Sequence, residues 1–131
     1  MENNPVANSV RKDIKPSEIL EAAKKLIDSP EKWTKHVAAR DSEDRPIDPF
    51  SPNAVCFCSI GAQLRAITQL GVAPDGILDN ISFGYMALAA RSITAEPCSV
   101  AGFNDNSTHP TVMRMWDRAI ELAKQREASG A

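Results

Sequence analysis

A chain of 131 residues, 43% hydrophobic and 24% charged, has enough apolar material for one continuous core and too little length for two. Its formal net charge of −2 removes the positive excess on which counterion-driven binding to nucleic acid depends, and no run of about 18 apolar residues is present to cross a bilayer. The cysteines, Cys56, Cys58 and Cys98, are too few and odd in number for a secreted disulfide scaffold, and residues 1–5 are polar, so a cytoplasmic protein with free thiols is expected.

Residues 1–15 lack apolar periodicity and are expected to form a loose arm, with the globular domain over 16–127 and a polar tail over 128–131. Ser17 reads as the cap of an amphipathic helix with Ile19, Leu20, Ala23, Leu26 and Ile27 on one side and Glu18, Glu21, Lys24 and Lys25 on the other. Ser29-Pro30 repeats the start signal and predicts a short helical turn carrying Trp33. The polar turn Asp41-Ser42-Glu43-Asp44, between Val37-Ala38-Ala39 and Pro46-Ile47, predicts two short paired segments. Pro46, Pro49 and Pro52 bar a long regular element over 45–53, and Ser51-Pro52 offers another helix start.

An apolar run through Cys58, Ile60, Ala62, Leu64, Ile67 and Leu70, closed by Gly71, predicts a central buried helix. Pro74-Asp75-Gly76 marks a turn-rich connection over 72–80, followed by an alanine-rich helix over 81–90. Residues 98–103 are expected to be extended, and Asn104-Asp105-Asn106-Ser107-Thr108 to be a turn. Thr108 or His109 then caps a last helix, with Pro110 near its start and Val112, Trp116, Ala119, Ile120 and Ala123 at helical spacing. The expected fold is mainly α, about four helices with a short β-hairpin between the first and second major helices.

Cys58 stands ahead of a helix, where the dipole can lower a thiol pKa. With His109 as base and Asn104 or Asp105 to orient it, it would form the set of a thiol-dependent hydrolase or transferase. Cysteine is also among the most buried residue types, which sets a plain packing role beside that chemistry. Cys56, Cys58, Cys98, His36 and His109 are zinc-type donors, but Cys-x-Cys lacks the spacing of paired zinc knuckles, so no metal is expected. No glycine-rich phosphate or dinucleotide loop occurs, so no cofactor is expected. Asn104 and Asp105 are types that contact ligands and equally types that cap helices. Trp33 and Trp116 read as core anchors, and Arg40, Arg45, Arg65 and Arg91 offer an anion site if the fold gathers them. Arg40, Arg65, Trp33, Asn104 and Asp105 are therefore the candidate binding residues.

The order of motifs resembles a family of uncharacterised small bacterial and phage proteins, a domain of unknown function. Trp33-Thr34-Lys35, Ala39-Arg40-Asp41, Ala54-Val55-Cys56-Phe57-Cys58-Ser59-Ile60-Gly61-Ala62, Gly102-Phe103-Asn104-Asp105, Val112 and Asp117-Arg118-Ala119-Ile120 carry the resemblance. Its distinctive pairing is Cys58-x-x-Gly61-Ala62 with Asn104-Asp105, and Phe57 and Phe103 stand where members of that family often have tryptophan. The resemblance implies a shared fold and no activity. Read physically, Gly61 and Ala62 let another backbone approach the central helix, Phe57 and Phe103 bury beside them, and Asn104 and Asp105 satisfy polar groups at the junction.

With no complete catalytic set legible, the reading leans away from an enzyme and toward a small cytosolic interaction or ligand-binding module acting on a protein or a small molecule. The alternatives are the thiol-dependent enzyme and a structural homo-oligomer that buries an outer apolar face of the first or last helix. A buried Cys58 together with an exposed apolar patch favours binding. A reactive thiol sharing a pocket with His109 and Asn104 or Asp105 favours the enzyme.

Overall fold

The computed structural model describes residues 13–96 and 98–130. The first helix, α1 (Pro16–Leu26), starts two residues earlier than Ser17 would allow as its cap. Lys15 takes the extended cap position, Pro16 the first helical position its fixed φ suits, and the Glu18 carboxylate reaches back to accept from Lys15 N at 2.8 Å. Ile14, just outside, is buried in one cluster with Ile19, Ile67 and Val72, the arrangement of a hydrophobic staple. The loose arm expected over 1–15 therefore lies outside the described residues up to residue 12, and Ile14 belongs to the core. Ser17 is buried inside the first turn, where its N–H would lack an intrahelical partner. Glu127, near the other end of the chain, accepts from both Ser17 N (3.1 Å) and Ser17 Oγ (2.6 Å).

A 3-10 turn over Pro30–Lys32 leads into Trp33. The small sheet pairs β1 (Ala39–Arg40) with β2 (Cys56–Phe57), antiparallel, with Ala39 opposite Phe57 and Arg40 opposite Cys56. The polar turn forms as expected, with Asp44 N donating to Asp41 O at 2.9 Å, but its far side contributes only an isolated bridge between Arg40 and Pro46. Pro46 has no N–H to extend a ladder, and Arg40 O accepts instead from Val55 N at 2.9 Å. Ser51-Pro52 starts a turn rather than a helix: Ser51 Oγ accepts from Asn53 N, and Ser51 O from Ala54 N.

The central helix α2 (Ser59–Gln69) follows directly, and Gly71, at φ 73°, closes it in the left-handed conformation. The next helix, α3 (Ile77–Ile93), begins four residues before the expected Ile81 because Gly76 provides the cap and Asp79 the acceptor for Asp75 N at 3.0 Å. Residues 98–103 are not extended. Ser99 Oγ accepts from Gly102 N at 3.0 Å and starts a short helix, α4 (Val100–Asp105), so Phe103-Asn104-Asp105 forms its last turn. Thr108 caps α5 (His109–Ala128), whose Val112, Trp116, Ala119 and Ala123 are buried at the predicted spacing.

These five helices and one two-stranded sheet surround a core that runs from Leu20 and Ala23 of α1 and Ile27 just beyond it through Ala62 and Ala66 of α2 to Trp116 of α5. Alanines line the contact of α3 with α5, Ala89 and Ala90 on one side and Ala119 and Ala123 on the other, so the two long helices lie close together. Between α2 and α3 the buried Gln63 donates to the buried Asp79 at 3.2 Å.

Candidate functional site

The two motifs singled out in the sequence meet at the N-terminus of α2. Cys58, in extended conformation, is its cap, and its Sγ accepts from Gly61 N at 3.4 Å. Gly61 is required by close approach: a Cβ there would lie 1.9 Å from the carbonyl oxygen of Ala38. The same oxygen accepts from Cys58 N at 3.1 Å, so the segment before β1 is laid across the helix start. Phe57 and Phe103 are both buried in the surrounding core, as the packing interpretation of the motifs requires.

Asn104, fully buried on α4, is the centre of the polar network. Its Oδ1 accepts from Trp33 Nε1 at 2.8 Å, Ser59 N at 3.0 Å and Ser59 Oγ at 2.8 Å. Its Nδ2 donates to Thr34 O and Asp105 Oδ1, each at 3.1 Å. Ser59 Oγ in turn accepts from Trp116 Nε1 at 3.3 Å, so both indole N–H groups of the protein end on this network. Asp105 Oδ1 also accepts from His36 N at 2.9 Å and holds His36 at φ 75°, a conformation that side-chain-bearing residues seldom adopt. Every hydrogen-bonding atom of the Asn104 amide thus has a partner, which is the condition for burying it.

The other candidates are engaged elsewhere. His109 lies against the Trp33 ring, with centroids 5.6 Å apart, and its Nε2 is 2.8 Å from the carbonyl oxygen of Ile27. Arg40 donates to Thr34 Oγ1, Asp44 O and Lys35 O. Arg65 donates to Pro49 O and Ser51 O, both at 2.7 Å, and lies over the Phe57 ring, fastening the proline-rich loop to α2. Arg45 pairs with Asp41 and Glu43. Arg40, Arg45 and Arg65 are thus tied into local contacts, and Arg91 stands exposed in the last turn of α3. Cys58 is 7% exposed, and burial, with a smaller push from the Asp105 charge, raises its thiol above the ordinary pKa; the Gly61 and Ile60 amides oppose this. The depression by the helix dipole expected from its position is outweighed. Among the described residues no group of three or more His, Cys, Asp or Glu is placed to hold a metal ion.

Ser59 and Thr34 were not singled out as site residues, and Trp116 was read as a core anchor alone. The legible signal was a serine immediately after a cap and two tryptophans whose N–H groups need partners once buried.

Residues 11–122, the span that includes this whole junction, match the model of a family of unknown function, DUF6197. The chain belongs to that family. No curated protein and no solved structure matches it. Two surface features of the DUF6197 chain lie outside the junction. An open cleft of about 760 Å³ is walled by Ile93, Cys98, Phe103, Thr108, Thr111 and Arg114 where α3, α4 and α5 meet. On the outer side of α3, Ile77, Ile81 and Leu88 are 77%, 42% and 50% exposed, and a groove runs beside Ile81 and Leu88 to Leu122 of α5. No described helix is long and apolar enough to cross a membrane.

Proposed function

We propose that this DUF6197 chain is a small cytosolic protein-interaction module whose partner-facing surface is the outer side of α3. The Trp33–Ser59–Asn104 junction serves the fold that presents it. The observation that carries this reading is the exposure of Ile77, Ile81 and Leu88 on one face of a helix whose other face is core. Single exposed aliphatic residues are ordinary, but three at helical spacing, two of them in a groove with Tyr85 and Leu122 that Gln125 and Arg126 border, form a stripe that gains by being covered. A bacterial or phage accessory protein, as the motif resemblance implies, fits such a role.

The thiol-enzyme reading lacks comparable support. Cys58 caps a helix with its proton held more tightly by burial, and the His109 Nε2 faces the Ile27 carbonyl. The test is affinity purification of tagged wild type and Leu88→Glu from the cells that carry the gene, scoring any stoichiometric companion, an untagged second copy included. Recovery of a companion by wild type and its loss from a folded Leu88→Glu chain is expected. Equal recovery by both, or by neither, overturns the reading.

A further inference from the structure

The outer face of α3 is patterned to match itself. Ile77, Ile81, Gly84, Leu88 and Arg91 follow one another at intervals of four, three, four and three residues, the spacing of a helix-packing seam about 21 Å long at 1.5 Å per residue. Gly84 sits in the middle of this 17-residue helix, where glycine costs about 0.5–1 kcal/mol relative to alanine. Nothing among the described residues requires it, since a Cβ built there meets none of their atoms within 4 Å. That contrasts with Gly61, which the Ala38 carbonyl demands. An exposed glycine between two exposed aliphatic residues is what a second backbone needs in order to come close.

We infer, resting on the interaction reading above, that α3 is the seam of a two-fold homodimer in which it packs antiparallel against α3 of a second copy, crossing at Gly84. Reversal about Gly84 sets Ile81 of each copy against Leu88 of the other, the self-complementarity that a two-fold interface requires. Charge selects the same orientation. Asp75 stands two residues before the helix, ahead of its Gly76 cap, and Arg91 in its last turn, and neither side chain forms an ion pair with another described residue. Antiparallel packing brings Asp75 of one copy to the end that carries Arg91 of the other, twice, whereas parallel packing sets like charge beside like. Between these ends the exposed residues Asn80, Ile81, Gly84 and Leu88 carry no charge, as the centre of an interface should not. The groove beside the stripe, floored by Tyr85 and Leu122 and bordered by Gln125 and Arg126, receives the aliphatic side chains of the second copy.

Sedimentation velocity on the purified full chain tests this. Wild type is expected to be a dimer at about 100 μM, with Leu88→Glu monomeric at the same concentration. Gly84→Ala is expected to raise the dimer dissociation constant by about tenfold or more while leaving the far-ultraviolet circular dichroism of the monomer intact. Arg91→Glu should weaken the dimer in the same direction. A monomeric wild type, or a dimer insensitive to both Leu88→Glu and Gly84→Ala, overturns the seam. If the purified chain is monomeric yet the affinity purification still finds a Leu88-dependent companion, the homodimer fails and the interaction reading stands. If neither experiment depends on Leu88, both fail.

Discussion

The side-chain oxygen of Asn104 lies 2.8 Å from Trp33 Nε1, joining residues 71 positions apart in the chain. Through Ser59 the same amide is one bond removed from Trp116 Nε1, so a single buried side chain couples the segment after α1 to α2, α4 and α5.

Asn104→Leu should therefore be severely destabilising, because it leaves Trp33 Nε1 and Ser59 N buried without their acceptor. At about 1–3 kcal/mol per orphaned group, a loss of roughly 3 kcal/mol or more is expected from urea denaturation. Ser59→Ala removes one donor to Asn104 and the acceptor of Trp116, and should cost about 1–2 kcal/mol by the same measurement.

The two glycines at opposite extremes of crowding should respond to alanine with opposite sign. Gly61→Ala places a methyl carbon against the Ala38 carbonyl and should cost about 2–3 kcal/mol through displacement of that segment. Gly84→Ala meets no atom of the described residues within 4 Å and should stabilise the monomer by about 0.5–1 kcal/mol. Thermal unfolding of the two variants beside wild type, at a concentration where each is monomeric, reads both effects. A tolerated Gly61→Ala would contradict the close approach at the start of α2.

The Cys58 thiol should resist alkylation. Buried, and holding its proton more tightly than a free thiol, it should react with iodoacetamide near neutral pH only after Cys56 and Cys98, which are half-buried. Peptide mapping of partially labelled native protein gives the order, and early modification of Cys58 would contradict it.

The same raised pKa has a consequence for stability in alkali. Folding holds the Cys58 proton more tightly than the unfolded chain does, so its contribution is fully present below the ordinary thiol value of 9.0. As pH climbs past that value the unfolded chain loses its proton first, and stability falls until the folded-state thiol also titrates. Cys56, raised chiefly by burial as well, adds to the fall in the same window. A Cys56→Ala, Cys58→Ala chain should show a flatter decline in urea midpoint above pH 9.0 than wild type.

Much of the helical framework was legible because it is periodic. Ile19, Leu20, Ala23 and Ile27, and Val112, Trp116, Ala119 and Ala123, recur as an inward face must and are buried, while Leu26 and Ile120 of the same faces are half-buried at the core's edge. The small Gly61 was legible as a place where another backbone approaches, although nothing local to it identifies that backbone as Ala38. What escaped has no period. The six-residue α4 is too short to display one and is announced only by the Ser99 cap. Asp79 and Gln63 look like surface residues, yet the pair is buried because each partly satisfies the other. The Cys56–Phe57 strand was hidden by a nearer partner, Pro46, that lacks the donor needed to propagate a ladder. The Asn104 network joins groups 45 and 71 residues apart, a proximity that only the assembled helices create.

The Ser17–Glu127 contact brings position 17 within a hydrogen bond of position 127, so the polypeptide enters and leaves this unit at one pole. Such a unit can be inserted into a surface loop of another protein without stretching its host, or re-ordered by joining residue 128 to residue 13 through a short linker and opening the chain at the exposed Pro74-Asp75 turn. Insertion leaves the outer side of α3 uncovered by the host, because that face belongs to the middle of the chain rather than to its ends.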